Sequence, residues 1–150
     1  MKEPFGGYLL NIAFRLLVPF TVVYSVYVLI LGESSPGGGF QAGVVLSFGI
    51  VLGRLIMGED CKLFNIKTKN TLVIAGVGTF IYSLAGWLTL FGGGKFLDYS
   101  FLPFAAEHAN ELHALGILMI ETGVTICVMM TILNIMDAVV KRSDDDGSAE

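Results

Sequence analysis

The segment from Thr71 to Phe91 runs for 21 residues without one charged side chain. Three more segments come close to it. Ala114 to Met136 carries only Glu121 over 23 residues, Tyr8 to Leu31 only Arg15, and Phe40 to Met57 only Arg54. A helix needs roughly 20 apolar residues to cross about 30 Å of hydrocarbon. Within that medium it must also satisfy its backbone amides internally. The pattern predicts an all-α integral membrane chain with four transmembrane helices, at about 8–31, 40–57, 71–91 and 112–137. Composition agrees: charged residues make up 15% of the chain, against about a quarter in soluble domains. Residues 1–140 are expected to form one four-helix membrane domain. Residues 141–150, with Asp144-Asp145-Asp146 and Glu150, are expected to form an acidic disordered tail.

The first apolar run is longer than the 7–15 residues or so of a signal-peptide core, and no small-x-small cleavage site follows it. It is expected to remain as an anchor. Lys2, Arg54, Lys62, Lys67, Lys69, Lys141 and Arg142 fall at the two ends and around the middle connection, while the other two connections hold only Lys95. The positive-inside tendency then puts both termini on the cytoplasmic side. Trp87, Phe91, Phe96, Tyr99, Phe101 and Phe104 gather at the far end of the third helix. They form either an interfacial belt or the packing of that connection.

These features exclude several functions. The longest piece outside the spans, Gly92 to His113, is shorter than the 50 or so residues of an independent domain. Gly92-Gly93-Gly94-Lys95 has Phe96 where a phosphate loop needs Ser or Thr, and Gly76-Val77-Gly78 lacks the third glycine of a dinucleotide fingerprint. On a helix, His108 and His113 stand about 140° apart, so with Glu111 they do not converge on a metal. Cys61 and Cys127 suit neither a disulfide nor a metal site. No basic, aromatic surface for nucleic acid is present. No cofactor and no catalytic centre are expected.

Two positions carry candidate chemistry. Glu121 lies deep in the fourth run, where a central charge costs about 2.5–3.5 kcal/mol. The cost is relieved if the carboxyl is neutral, or if it faces a cation, a hydrated cavity or a partner helix. Either state suits a proton or Na⁺ relay; the plainer reading is a hydrogen bond to a neighbouring subunit. Arg15 is placed to snorkel to the cytoplasmic headgroups, with Asp137, Glu59 or a lipid phosphate as its expected partner, and Arg54 is read in the same way. His108 and His113 are further ion or proton path candidates at the outer entrance to helix 4, unless they only form a polar helix start.

Packing signals lie in the small residues. Gly39, Gly43 and Ser47 repeat every four positions, Gly49 and Gly53 form one GxxxG, and Ala75, Thr79 and Ser83 repeat on the third helix. Such stripes let helices approach closely in lipid, either within this chain or against a neighbour. Asn11, Gln41, Thr122, Thr125 and Asn134 are candidates for hydrogen-bonded chains between helices. Pro36-Gly37-Gly38-Gly39, with Gly43, marks a turn whose missing side chains give room for another helix or chain.

The segments Arg15-Leu16-Leu17-Val18-Pro19 and Ser35-Pro36-Gly37-Gly38-Gly39-Phe40-Gln41-Ala42-Gly43-Val44, and less specifically Ile120-Glu121-Thr122-Gly123-Val124, resemble the MnhB family. These are the B-type components of Mrp-type multisubunit cation/proton antiporters and their relatives. The resemblance extends from about Asn11 to Met136. It implies a small four-helix subunit of a prokaryotic plasma membrane, assembled with larger subunits that exchange Na⁺ for H⁺. The alternative it leaves open is the homologous membrane subunit of an ion-pumping hydrogenase or related oxidoreductase, and a third reading is a structural spacer.

Overall fold

The computed structural model of the chain describes residues 7–57, 66, 68–104 and 109–147, except for the side chains at 57, 68, 69, 109 and 143–147. Four α-helices account for most of them: α1 (Gly7–Ile30), α2 (Gly39–Met57), α3 (Thr68–Phe91) and α4 (Ala109–Gly147). A 3-10 turn at Tyr99–Phe101 lies between α3 and α4. All four helices are long and apolar enough to cross a membrane, and among the described residues there is no strand. The expected spans agree with this, except that α4 runs on beyond residue 137. Residues 141–147, expected in a disordered tail, continue that helix. The reason is that polarity alone does not stop a helix: no Gly or Pro interrupts the run between Gly123 and Gly147.

The helices do not follow chain order in space. α2 packs against α1 on one side and α4 on the other, and α3 packs against α4. α1 touches α4 only slightly, and among the described residues α3 meets neither α1 nor α2. The order is therefore α1–α2–α4–α3, a row with α2 and α4 at its centre. Hydropathy does not encode this order, because lipid is as apolar as the helix faces and gives no preference between them.

Each junction in the row rests on small residues and hydroxyls. Between α1 and α2, the buried Ser25 hydroxyl donates to the Ala42 carbonyl at 2.7 Å, and Gly49 makes room for Thr21. Between α2 and α4, which run parallel, Gly39 and Gly43 meet the α4 backbone at Glu121 and Thr125. The Thr125 hydroxyl lies 2.9 Å from the Gly39 carbonyl and 2.8 Å from its own Glu121 carbonyl, a proton shared between the two helices. Between α3 and α4, which run antiparallel, Gly78 faces Gly123: a β-carbon on either would stand 2.7 Å from the other's carbonyl oxygen. The expected Ala75–Thr79–Ser83 stripe is not this contact. Thr79 and Ser83 bond back to their own helix at Ala75 and Thr79, although the Thr79 hydroxyl lies 3.6 Å from the Cys127 sulfur of α4. Nearer the end that bears Arg54, Met129, Met130 and Leu133 of α4 form a small core with Leu46, Ile50, Val51, Ile66, Ile74 and Ala75 around them.

Arg54 and Asp137 form a cross-helix ion pair at 2.5 Å, each about a quarter exposed. Arg15, for which Asp137 was an expected partner, instead donates from Nε to the Asn11 side chain at 2.8 Å, one turn earlier on α1. The Arg54 pair closes the α2–α4 junction at the end opposite Glu121. Hydrogen bonds to charged groups contribute about 1.5–3 kcal/mol. Asp137→Asn is accordingly expected to lower the unfolding temperature of the purified assembly, and the swap Arg54→Asp with Asp137→Arg to recover part of the loss.

Candidate functional site

The site is built around the connection between α1 and α2. Leu31 follows the first helix, and its carbonyl accepts the amides of Ser34 and Ser35 at 3.0 and 2.9 Å. The Gly37 amide donates to the Ser35 hydroxyl at 3.3 Å, and the Gly38 carbonyl starts α2 by accepting the Ala42 amide at 2.9 Å. The turn is thus tied down locally and brings Gly32, Gly38 and Gly39 to one side. That side faces Glu121, about 18 Å along α4 from its first residue at 1.5 Å per residue.

The three glycines meet different parts of Glu121. A β-carbon on Gly39 would lie 2.8 Å from the Glu121 α-carbon and closer still to its carbonyl oxygen. This contact is backbone on backbone. By contrast, a β-carbon on Gly32 would stand 2.5 Å from both Cδ and Oε1 of the carboxylate, and one on Gly38 2.9 Å from Oε1. Gly32 and Gly38 therefore flank the end of a side chain, whereas Gly39 and, one turn on, Gly43 set the spacing of two helices. Pro36 and Gly37 lie at the turn itself; Gly37 packs against Val28 of α1 rather than against α4.

An open cleft of about 320 Å³ begins at this carboxylate. Leu29, Ile30 and Glu33 line it from the end of α1 and the turn; Glu111, Ala114, Leu115, Ile117, Leu118 and Glu121 line it from α4. The walls are otherwise apolar, and no basic side chain lies among the lining residues to offset the three carboxyl groups. Glu33 and Glu111 are exposed and Glu121 is half-buried. Among the described residues, no group hydrogen-bonds or ion-pairs with the Glu121 carboxylate. Glu33, from outside the apolar runs, was not among the expected site residues. Its only signal was its position two residues beyond the first run.

His113 does not join this cleft. Its Nε2 lies 2.9 Å from the Ser100 hydroxyl, and its ring meets Tyr99 edge-on with centroids 6.0 Å apart. Burial, with a smaller contribution from the Tyr82 phenol, holds the Tyr99 hydroxyl above its ordinary value of 10.0, so it remains neutral. His113 thus fastens the α3–α4 connection to α4. The same connection is packed by its aromatics: Phe96 lies against Gly86 and Phe101 against Gly92 and Gly94. Trp87, Phe91, Phe96, Phe101 and Phe104 all remain partly open to the surroundings, Phe91 the most. His108 lies outside the described residues, as does Cys61. Among the described residues no group of His, Cys, Asp and Glu is arranged to hold a metal. Of the polar residues expected to link helices, Thr125 does so; Thr122 bonds back to Leu118 in its own helix.

A family model described as a domain related to the MnhB subunit of Na⁺/H⁺ antiporters matches residues 9–134. The chain is 28% identical over 132 residues to the B-type component of the Na⁺/H⁺ antiporter of Bacillus subtilis (strain 168), covering 83% of this chain and 91% of that protein. It is 28% identical over 138 residues to the putative antiporter subunit mnhB2 of Staphylococcus haemolyticus (strain JCSC1435), covering 91% and 94%. It is 24% identical over 136 residues to the putative antiporter subunit mnhB2 of Staphylococcus aureus (strain Newman), again covering 91% and 94%.

Proposed function

Because the chain belongs to the MnhB family, we propose that it is a multi-pass plasma-membrane subunit of a prokaryotic multisubunit Na⁺/H⁺ antiporter, with no catalytic centre of its own. The relatives named above align over nearly their whole length and carry antiporter names. That supports an antiporter over a hydrogenase-like redox complex. The partners are the other subunits of the assembly and the lipid around them.

In this reading the lysine-bearing ends face the cytoplasm, so the α1–α2 turn and the cleft face outward. Glu121 is the ion-handling group. One carboxylate holds a proton or a Na⁺ but not both, and competition for it is the simplest unit of exchange. Glu33 and Glu111 at the cleft walls raise the local cation concentration. His113 serves the connection rather than the path. The carrying observation is the Glu121 carboxylate, which stands at the end of an acid-lined cleft without a partner among the described residues.

The assembly itself is tested by purifying a tagged chain in mild detergent. Several apolar subunits are expected to accompany it, and the reconstituted assembly is expected to move protons against an imposed Na⁺ gradient. Recovery of the chain alone, or with a redox-centre subunit, contradicts the proposal.

A further inference from the structure

We infer that Gly32 and Gly38 are positioning residues for Glu121: together they form a slot, made by absent side chains, that sets where the carboxylate sits in the cleft. The inference rests on the ion-handling role of Glu121 proposed above and adds the element that controls it. Three observations carry it.

The first is placement. Gly32 lies just past the end of α1 and Gly38 just before α2, so the two approach the α4 side chain from opposite ends of one turn. The second is what each would strike. At Gly32 all three nearest atoms are carboxylate atoms of Glu121, with Cδ and Oε1 both 2.5 Å from a built β-carbon; at Gly38 they are Oε1 at 2.9 Å and Cδ at 3.6 Å. The third is contrast within the same turn. Gly39 strikes the Glu121 backbone, and Gly37 strikes Val28 and Gln41. Neighbouring glycines thus have separate tasks, and only Gly32 and Gly38 address the carboxylate.

A methyl group at position 32 meets the free end of a flexible side chain. The carboxylate swings aside and the helices keep their places. Among the described glycines, positive φ occurs at Gly7 and Gly93 and not at Gly32 or Gly38, so alanine is compatible with the backbone at both slot positions. Gly32→Ala should therefore fold and assemble while displacing the carboxylate by about an ångström. Misplacement on that scale at a reacting group lowers rates by up to about a hundredfold.

The test uses the purified, reconstituted complex with two readouts. One is the pH profile of Na⁺-driven proton movement. The other is the rate at which an apolar carbodiimide modifies Glu121, read by mass spectrometry. Gly32→Ala is expected to assemble in normal yield, to shift the pH profile, to slow exchange at least about tenfold, and to change the labelling rate. Gly76→Ala, whose added carbon meets nothing within 4 Å, is expected to change neither. A Gly32→Ala complex with wild-type labelling and pH profile would overturn the positioning role. Glu121→Gln separates the two levels. If it abolishes exchange while Gly32→Ala matches wild type in both readouts, the positioning role alone fails. If Glu121→Gln exchanges normally, the proposed function fails, and the labelling rate still decides whether Gly32 places the carboxylate.

Discussion

Glu121→Gln in the assembled complex is expected to bring Na⁺-driven proton movement down to the level of empty vesicles, with the complex recovered in normal amount. The amide matches the carboxyl in size, so the slot between Gly32 and Gly38 still accommodates it. The backbone contacts at this position, Gly39 against the Glu121 backbone and Thr125 to the Glu121 carbonyl, do not involve the side chain. What disappears is the single group at the foot of the cleft able to take up either a proton or a cation. Removing an unpaired carboxyl from a partly apolar site relieves a cost of desolvation instead of adding one, so the variant should be no less stable than wild type. Lost exchange together with unchanged or raised thermal stability is the expected pairing. A stability loss matching the activity loss would point to a structural carboxyl.

The opposite pairing is expected at the neighbouring contact on α2. Gly39→Leu should prevent recovery of the intact complex. Its β-carbon would lie within 3 Å of backbone atoms of α4, which have no rotamer to retreat into. α2 and α4 would have to separate, breaking the Thr125 to Gly39 bond at 2.9 Å and displacing the Gly43 contact with Val128. α2 and α4 form the middle of the row, so the damage reaches both outer helices. Costs above about 4 kcal/mol come from overpacking of this kind, and marginal stabilities of about 5–15 kcal/mol do not absorb them easily. Blue-native electrophoresis of membranes expressing the variant is the direct measurement. An intact band at wild-type intensity would mean that α2 and α4 are not in contact through Gly39.

Much of the fold was legible because charge is so costly in hydrocarbon. Four runs with at most one ionised residue each leave few alternatives to four spanning helices. Glu121 was legible for the same reason, as a charge inside such a run. Its surroundings were not. Which turn reaches which helix depends on the order α1–α2–α4–α3, and apolar faces in lipid do not select neighbours. The glycine turn therefore announced a close contact without naming its partner, which is this chain's own α4. Gly78 and Gly123 were hidden because a single glycine on each helix suffices where two backbones cross, leaving no repeat to notice. The helix of α4 continues past its expected span because charged residues leave the membrane without leaving the helix. Asp137 was foreseen as a carboxylate partner for arginine; the guanidinium that takes it belongs to Arg54, on the helix that packs beside it.

Infrared difference spectroscopy on the reconstituted complex, switching between Na⁺-free and Na⁺-containing buffer, asks most directly whether Glu121 trades a proton for a cation. The predicted result is a protonated-carboxyl band that Na⁺ removes in the wild-type complex and that is missing from the Glu121→Gln complex. Identical difference spectra from the two complexes would contradict it.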